Sequence, residues 1–317
     1  MTVELADVRI GHATDGENLT GCTVILCPDG AVASVDVRGP GPGTREIALL
    51  SPKRPLHKVN GVVLTGGSAF GLATADGVVR YLAEHGYGYE TPICPVPIVS
   101  AAVVYDLFLN QGQNLPDAEM GYAACLDARP DNDVQGNVGA GTGVTVGKWM
   151  GPDHMMKGGF GLAGMEIDDL IVKAAVVVNA IGDVVNSDGT VLAGAHNQGN
   201  QWMVDQYPLR YAPFAPPPQM GTNTTLAVVV TNAKMSKQDA YRLAQRAHDG
   251  FAIAIRPTHM THEGDTAFAL ATEQIDAPFE KIATAAVEVV AEAIRNAVRN
   301  AHSIDTILNF LNGVLSI

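Results

Sequence analysis

The chain has 317 residues, of which 47% are hydrophobic and 17% are charged, and its formal net charge is −13. This length can bury a large core and fits one large domain or two tightly joined ones. Nucleic-acid binding needs a basic stripe, and because none is visible, the composition argues against a nucleic-acid partner. No apolar run reaches 18 residues, so no membrane-spanning helix is predicted.

The N-terminal segment and the cysteines predict the compartment. Residues 1–7 lack the basic and apolar regions of a signal peptide, which predicts a cytoplasmic protein. No CxxC pair is present, and a chain of this size needs no disulfide. We therefore expect four buried thiols, rather than a metal site or a redox pair, at Cys22, Cys27, Cys94 and Cys125.

Hydrophobic patterning predicts strands and helices that alternate along the first half of the chain. Pro97 lies in an apolar run, which is typical of an irregular or edge strand. The predicted elements are, in chain order, a hairpin of 22–27 and 31–37, a strand at 62–64, a helix from about Ala69 to His85, the strand at 96–104 and a β segment from Gly139 to Lys148.

The second half continues this alternation. The predicted elements are strands at 158–163 and 171–178, a poorly periodic region at 184–219, a strand at 224–231, a helix that begins at Ser236, a strand at 266–272 and a helix from about Pro278 to Asn300. The proline tract at 213–218 predicts an exposed connection. The nearly all-apolar strands favour an α/β arrangement in which helices cover the sheets.

Thr224 lies at the mouth of the apolar, β-branched strand that ends near Val230. If the Asn223–Thr224 bond is cut, Thr224 carries a hydroxyl and a free α-amine close together, the N-terminal-threonine form of a nucleophile with its own base. An α-amine has a pKa of about 7.7–8.0, near the pH at which a general base works best. The pattern therefore makes Thr224 a candidate nucleophile.

Two further motifs share some features with cofactor or metal sites. The loop Gly139-x-Gly141-x-Gly143 resembles a phosphate-binding loop, but Val144 stands where the dinucleotide fingerprint needs glycine. The cluster at 259–263 has the order H-x-x-H-E, which matches neither H-E-x-x-H nor H-x-x-E-H. We therefore expect no cofactor and no metal.

Polar residues at strand ends complete the candidate set. Lys148 ends a β run, and Asn179 ends the apolar run at 174–178. The end of a strand is a common position for a site residue. Glu263 and Asp265 flank Gly264 just before a strand, where a carboxylate pair can orient an amine or a hydroxyl.

Taken together, these motifs resemble the P1 family of N-terminal-nucleophile peptidases (the D-aminopeptidase/esterase-like peptidase family S58). The resemblance covers nearly the whole chain and is closest to the branch that contains the nylon-oligomer (6-aminohexanoate oligomer) endo-hydrolase. Its most specific segment is 223–232, continuing through Met235-Ser236 to 264–266. Supporting matches lie at 64–71, 99–106, 139–143 with Lys148, and 177–179.

The resemblance implies a four-layer αββα sandwich of the N-terminal-nucleophile hydrolase type, assembled as a homotetramer or larger ring. It also implies a single catalytic domain that cuts itself between Asn223 and Thr224 into fragments 1–223 and 224–317. The implied roles are Thr224 as nucleophile, Asn179 as oxyanion donor, Lys148 as active-site lysine, Asp265 and Glu263 as the groups that organise the nucleophile, and Tyr105 as a site-lining tyrosine. The nylon-oligomer hydrolase has Asp where this chain has Glu263, and the aminopeptidase branch has Ser.

The implied activity is hydrolysis of peptide or oligoamide bonds through an acyl-enzyme on Thr224. An endo-acting oligomer hydrolase and an aminopeptidase of D-amino acid or β-peptidyl type both remain open, because the sequence does not display the shape of the cleft. Two alternatives of another class are a non-catalytic binding protein on the same scaffold and a nucleotide-binding protein that uses the 139–143 loop.

Overall fold

The computed structural model describes Leu5 and residues 7–197, 201–208 and 222–304. The predicted exposed connection at 213–218 lies outside these ranges. Within them, no helix is both long enough and apolar enough to cross a membrane.

A nine-stranded sheet forms the centre of the described structure. Its strands are β1 Arg9–Asp15, β2 Thr20–Val37, β3 Thr44–Arg45, β4 Lys58–Thr65, β5 Val99–Val103, β8 Gly159–Ile167, β9 Leu170–Asn179, β12 Thr224–Ala233 and β14 Thr266–Ile275. Their order is β3-β5-β4-β2-β14-β12-β9-β8, and β1 also pairs with β2. Strand β12 is parallel to β14 and antiparallel to β9.

The short strands and the helices complete the structure. The short strands are β6 Thr145–Val146, β7 Met156–Lys157, β10 Asp183–Val185, β11 Val191–Ala193 and β13 Ile255–Arg256. The helices are α1 Thr74–Glu84, α2 Leu107–Asn110, α3 Ala118–Asp127, α4 Met203–Gln206, α5 Lys237–Ala254 and α6 Phe279–Arg299. Short 3₁₀ turns include Ser68–Ala73, Gly139–Gly141 and Lys148–Met150.

Strand β2 is long enough to belong to both halves of the sheet. Its first part pairs with β4, and its last part, from Val32 to Val37, pairs with β14. The predicted hairpin is therefore wrong. The turn-like residues between Cys27 and Ala31 produce an irregularity in the ladder with β4, as a β-bulge does, and the chain continues in one strand instead of reversing.

The structure has four layers: helices α5 and α6, the half of the sheet with β9, β12 and β14, the half with β2 and β4, and helices α1 and α3. An apolar cluster lies between each pair of neighbouring layers. One cluster joins α5 and α6 to the outer faces of β9, β12 and β14, and it includes Val229. A second, with Val228, fills the space between the two sheet halves. The third joins β2 and β4 to α1 and α3. Successive residues of a strand point to opposite faces, so a strand buried on both faces is apolar throughout. The αββα architecture is thus confirmed.

Several local predictions are corrected or refined. The helix predicted from Ala69 divides into a 3₁₀ turn and α1, and β5 lies between β3 and β4 instead of at an edge. The β segment expected to reach Lys148 is only two residues long, with 3₁₀ turns on both sides. Cys94 is exposed rather than buried, because it lies in a surface loop whose Thr91 hydroxyl donates to its carbonyl. Helix α5 begins as predicted, with the Ser236 hydroxyl accepting from the Asp239 amide at 3.1 Å.

Candidate active site

The sheet brings the predicted catalytic residues to one edge. Thr224 is the first residue of β12 and faces Asn179, the last residue of β9, in the antiparallel register. Glu263 and Asp265 immediately precede β14, and because β14 runs parallel to β12, both strands begin at the same edge. The Lys148 amide donates to the Ile181 carbonyl at 2.8 Å, just beyond Asn179. All five residues therefore converge.

The side-chain amide of Asn179 has a defined orientation. Its Oδ1 accepts from the Lys148 Nζ at 2.8 Å and from the Thr145 amide at 3.1 Å. Its Nδ2 donates to the Tyr105 carbonyl at 3.0 Å and to the Thr222 carbonyl at 3.4 Å. Since two donors occupy Oδ1, the NH₂ group must face away from Lys148. Asn179 can therefore act as a hydrogen-bond donor towards the segment that precedes Thr224.

Lys148 combines a lowered pKa with contacts at the end of β9. Besides Asn179 Oδ1, its Nζ donates to the Asn179 carbonyl at 3.0 Å. Loss of solvation lowers the pKa of Lys148 to about 7, and the negative charge of Glu263 opposes this shift. A lysine with such a pKa can exchange a proton near neutral pH.

Glu263 is fully buried and tied to backbone on both oxygens. Oε1 accepts from the Ile181 amide at 3.1 Å, and Oε2 accepts from the Met260 amide at 2.7 Å. Burial raises the pKa of Glu263 to about 8, with the Asp265 carboxylate acting in the same direction, while the two backbone bonds and Lys148 oppose them. The carboxyl group therefore links two loops beside the site.

Asp265 links the start of β12 to the loop before Glu263. Its Oδ1 accepts from the Thr225 amide at 2.7 Å, and its Oδ2 lies 2.7 Å from Nδ1 of His259. In the sequence, His259 stands out only as part of the H-x-x-H-E cluster. Among the described residues, no group of three or more His, Cys, Asp or Glu could hold a metal ion.

The Asn223–Thr224 bond lies in a crowded, buried environment. The Thr224 hydroxyl donates to the Asn223 carbonyl oxygen at 2.5 Å, and the Gly264 amide donates to the same oxygen at 2.9 Å. A Cβ on Gly264 would lie 2.8 Å from the Thr224 Oγ1 and 2.8 Å from the Gly41 carbonyl oxygen. Glycine at 264 therefore allows the backbone to approach both the hydroxyl and the carbonyl.

Tyr105 reaches the site through its backbone. Its carbonyl accepts from Asn179 Nδ2, as described above, and its side chain is half-buried. The next residue, Asp106, is buried and accepts from the Gly67 amide at 2.7 Å and from the Thr20 hydroxyl at 2.6 Å. These bonds fix the backbone on which the Tyr105 carbonyl sits.

The glycine loop at 139–143 surrounds a buried cation that sequence reasoning missed. Lys157 is fully buried, and its Nζ donates to the carbonyls of Gly141 at 2.9 Å, Val144 at 3.0 Å and Gly158 at 3.2 Å. Burial and the charge of Lys148 lower the pKa of Lys157 to about 7, against the attraction of Asp106. A phosphate loop presents N–H groups to an anion, whereas here the Gly141 carbonyl of the loop, together with those of Val144 and Gly158, faces an ammonium group.

Comparison with solved structures identifies the fold. The chain aligns with a TM-score of 0.72 to an L-aminopeptidase D-Ala-esterase/amidase from Ochrobactrum anthropi, whose structure is described as a new variant among the Ntn hydrolase fold. The two are 20% identical, and the alignment covers 98% of this chain and 91% of that one. The fold is therefore that of the N-terminal-nucleophile hydrolases.

Sequence comparison identifies the family. The model of Peptidase family S58 matches residues 3–309, and the chain belongs to that family. An uncharacterized aminopeptidase of Mycobacterium leprae is 39% identical over 301 residues, covering 86% of this chain and 79% of the relative. A 6-aminohexanoate-oligomer endohydrolase of Agromyces is 34% identical over 278 residues, covering 86% and 74%. The resemblance seen in the sequence is confirmed, and the protein is a hydrolase of peptide or amide bonds.

Proposed function

We propose that Thr224 is the nucleophile of this hydrolase and that the chain activates itself by cutting the Asn223–Thr224 bond. The observation that carries the proposal is the position of the Thr224 hydroxyl, 2.5 Å from the Asn223 carbonyl oxygen at the edge where Lys148, Asn179 and Asp265 converge. A free α-amine on Thr224 supplies the second half of an N-terminal nucleophile.

Self-cleavage needs an oxyanion donor and a proton acceptor. The Thr224 Oγ1 attacks the Asn223 carbonyl carbon, the carbon–nitrogen bond breaks, and the nitrogen takes a proton to become the α-amine. The resulting ester is hydrolysed by water, which gives fragments 1–223 and 224–317. The Gly264 amide, already 2.9 Å from the Asn223 oxygen, supports a role as the donor to the developing negative charge. Lys148, with its pKa near 7, is the proposed proton acceptor.

Turnover of a substrate uses a different oxyanion donor from self-cleavage. The Thr224 Oγ1 attacks the carbonyl carbon of a substrate amide, and the α-amine or Lys148 takes its proton and passes it to the leaving amine. Water then hydrolyses the acyl-enzyme. Asn179 Nδ2 is the proposed oxyanion donor, because its Oδ1 is held by Lys148 and Thr145 and its NH₂ points to Thr222, in the segment whose C-terminus the cut would free. One such donor is worth about 2.7–4 kcal/mol.

The proposed substrates are oligoamides cleaved internally, with 6-aminohexanoate oligomers as the first to test. An aminopeptidase needs a carboxylate that binds the free ammonium group of its substrate. Glu263 gives both oxygens to backbone amides, and Asp265 gives its own to Thr225 and His259. Both acids beside Thr224 are fully buried and already accept hydrogen bonds from the protein, which favours endo-hydrolysis over capture of a free ammonium group. Aminopeptidase activity is the second candidate, supported by the name of the mycobacterial relative.

The denatured mass of the purified protein tests the nucleophile. Wild type should yield two species of roughly 23 and 10 kDa, in proportion to their lengths, from a chain of 33.2 kDa. The smaller species should begin at Thr224, and Thr224→Ala should remain intact and inactive. Hydrolysis of 6-aminohexanoate oligomers beside amino-acid p-nitroanilides then separates the two substrate classes. Full activity in Thr224→Ala would overturn the proposal.

The compartment and the assembly are part of the same proposal. The four cysteines are free thiols, as suits a reducing cytoplasm. Assembly as a tetramer of cleaved heterodimers follows from the family resemblance, and the native mass in solution measures it.

A further inference from the structure

His259 holds one oxygen of the Asp265 carboxylate with two of its own groups. Its ring Nδ1 lies 2.7 Å from Asp265 Oδ2, and its backbone amide donates to the same oxygen at 3.2 Å. The Thr258 hydroxyl lies 3.4 Å from that oxygen. Because a carboxylate only accepts, the ring hydrogen belongs on Nδ1. Three donors from two consecutive residues thus converge on Oδ2.

The other oxygen of Asp265 faces the start of β12. Oδ1 accepts from the Thr225 amide at 2.7 Å, and Asp265 is fully buried. The carboxylate therefore bridges the loop at 258–259 to the residue that follows Thr224. If Oδ2 lost its donors, the carboxylate could rotate and release the Thr225 amide.

The backbone of His259 is shaped for this contact. Its φ is +57°, a left-handed conformation that only a few per cent of non-glycine residues adopt, with Asn, Asp and His the most frequent among them. Strained backbone of this kind persists where the surroundings enforce it, often at functional sites. Here it directs both the amide and the ring of one residue to a single oxygen.

A second histidine supports the ring from outside. His248 on α5 packs edge-on against His259, with the ring centroids 4.8 Å apart at an interplanar angle of 68°. Nε2 of His248 lies 3.1 Å from the Asp36 carbonyl oxygen on β2, and His248 is fully buried. The His259 ring is therefore packed in place from the helix layer.

We propose that His259 is a positioning residue that acts through Asp265: it orients the carboxylate so that Asp265 holds the Thr225 amide and thereby sets the Thr224 hydroxyl towards the bond that it attacks. This inference rests on the proposed role of Thr224. The residue touches neither substrate nor reacting atoms, so its effect is on rate through geometry.

Two substitutions at one position isolate the ring donor. Both His259→Gly and His259→Asn tolerate the left-handed backbone and lose the imidazole packing. Only asparagine keeps an N–H donor on Cγ, where His259 carries Nδ1. We expect His259→Gly to lower kcat about ten- to hundredfold, as small misplacements of reacting groups do, with KM within about twofold of wild type. His259→Asn should restore most of the lost kcat.

Hydrogen exchange gives a readout that does not depend on activity. In the Thr224→Ala background the chain stays whole, and the Thr225 amide is an internal position. Adding His259→Gly should speed exchange at Thr225 by about tenfold or more while leaving Val229, in the middle of β12, unchanged. Adding His259→Asn should leave Thr225 protected.

The outcomes separate the two proposals. Equal kcat and equal Thr225 exchange in the glycine and asparagine variants would overturn the role of His259, whether both match wild type or both fall. Wild-type activity in Thr224→Ala would overturn the nucleophile instead, and Thr225 exchange would still decide whether His259 positions Asp265.

Discussion

Replacement of Asn179 by alanine should separate self-cleavage from turnover. The substitution removes Nδ2, the proposed oxyanion donor of turnover, and leaves the Asn179 carbonyl to hold Lys148 at 3.0 Å. Loss of one oxyanion donor costs about 2.7–4 kcal/mol, so kcat should fall about 10²–10³-fold. The Asn223 carbonyl accepts from Gly264 and not from Asn179, so the chain should still cut itself.

The assay pairs two measurements on the same preparation. Denatured mass spectrometry follows the appearance of the two fragments with time, and steady-state kinetics on an oligoamide follow turnover. Asn179→Ala should show complete cleavage with a kcat reduced by two to three orders of magnitude. An intact Asn179→Ala chain would refute the assignment of separate donors, and a kcat within tenfold of wild type would refute the role of Asn179 in turnover.

Asn179→Asp is the matched comparison, because it keeps the acceptor to Lys148 and Thr145 while replacing the donor with a negative charge. A carboxylate about one hydrogen bond from Nζ favours the ammonium form, so the pKa of Lys148 should rise above about 7. The rising limb of the pH–rate profile should then move to higher pH in Asn179→Asp and stay in place in Asn179→Ala. Identical limbs in the two variants would show that Lys148 does not set that limb.

Three further predictions follow from close packing and buried charge. Gly264→Ala places a methyl group 2.8 Å from the Thr224 Oγ1, so it should slow self-cleavage and destabilise the fold by about 1–3 kcal/mol. Mass spectrometry measures the rate of cleavage and urea unfolding measures the stability. Cleavage as rapid as in wild type would contradict this prediction. Lys157→Met takes the Nζ donor away from three buried carbonyls, of which, among the described residues, only that of Val144 keeps a backbone amide, from Gly158 at 2.9 Å; it should cost about 1–3 kcal/mol in urea unfolding, whereas exposed Lys53→Met should cost almost nothing. The pKa of Glu263 is about 8 in the folded protein against 4.5 for the free group, so the native state binds more protons than the unfolded state between these pH values. The contribution of Glu263 to the free energy of unfolding therefore falls as pH rises from about 4.5 to 8. Between pH 5 and pH 8 the free energy of unfolding should fall less in Glu263→Gln than in wild type, and equal falls would contradict the raised pKa.

The strands and helices that carry the site were largely predictable, because their signals are local. The apolar run after Thr224 and the helix at Ser236 lie where the patterning placed them. The hairpin failed because Pro28-Asp29-Gly30 has the composition of a turn, whereas tertiary pairing with β4 and β14 keeps the chain extended. Local patterning does not reveal which partners a strand will find.

The candidate site was predictable where its residues begin or end apolar strands, as Thr224 and Asn179 do. His259 was harder to find, because its partner Asp265 is six residues away in a loop without periodicity. Lys157 left one signal, a lone lysine between Met156 and Gly158 among apolar and glycine residues. Its acceptors are backbone carbonyls, which leave no mark on the sequence.

The order of strands has a consequence for a chain cut at the proposed Asn223–Thr224 bond. Strands β12 and β14, both downstream of the Asn223–Thr224 bond, lie side by side between β2 and β9, which are upstream of it. The two fragments would therefore be interleaved within a single sheet, and neither could leave without breaking a ladder on each side. Once separated by denaturant, they would have to meet again before either could complete its sheet. Refolding of the mature protein should thus depend on its concentration, whereas refolding of the uncut chain should not.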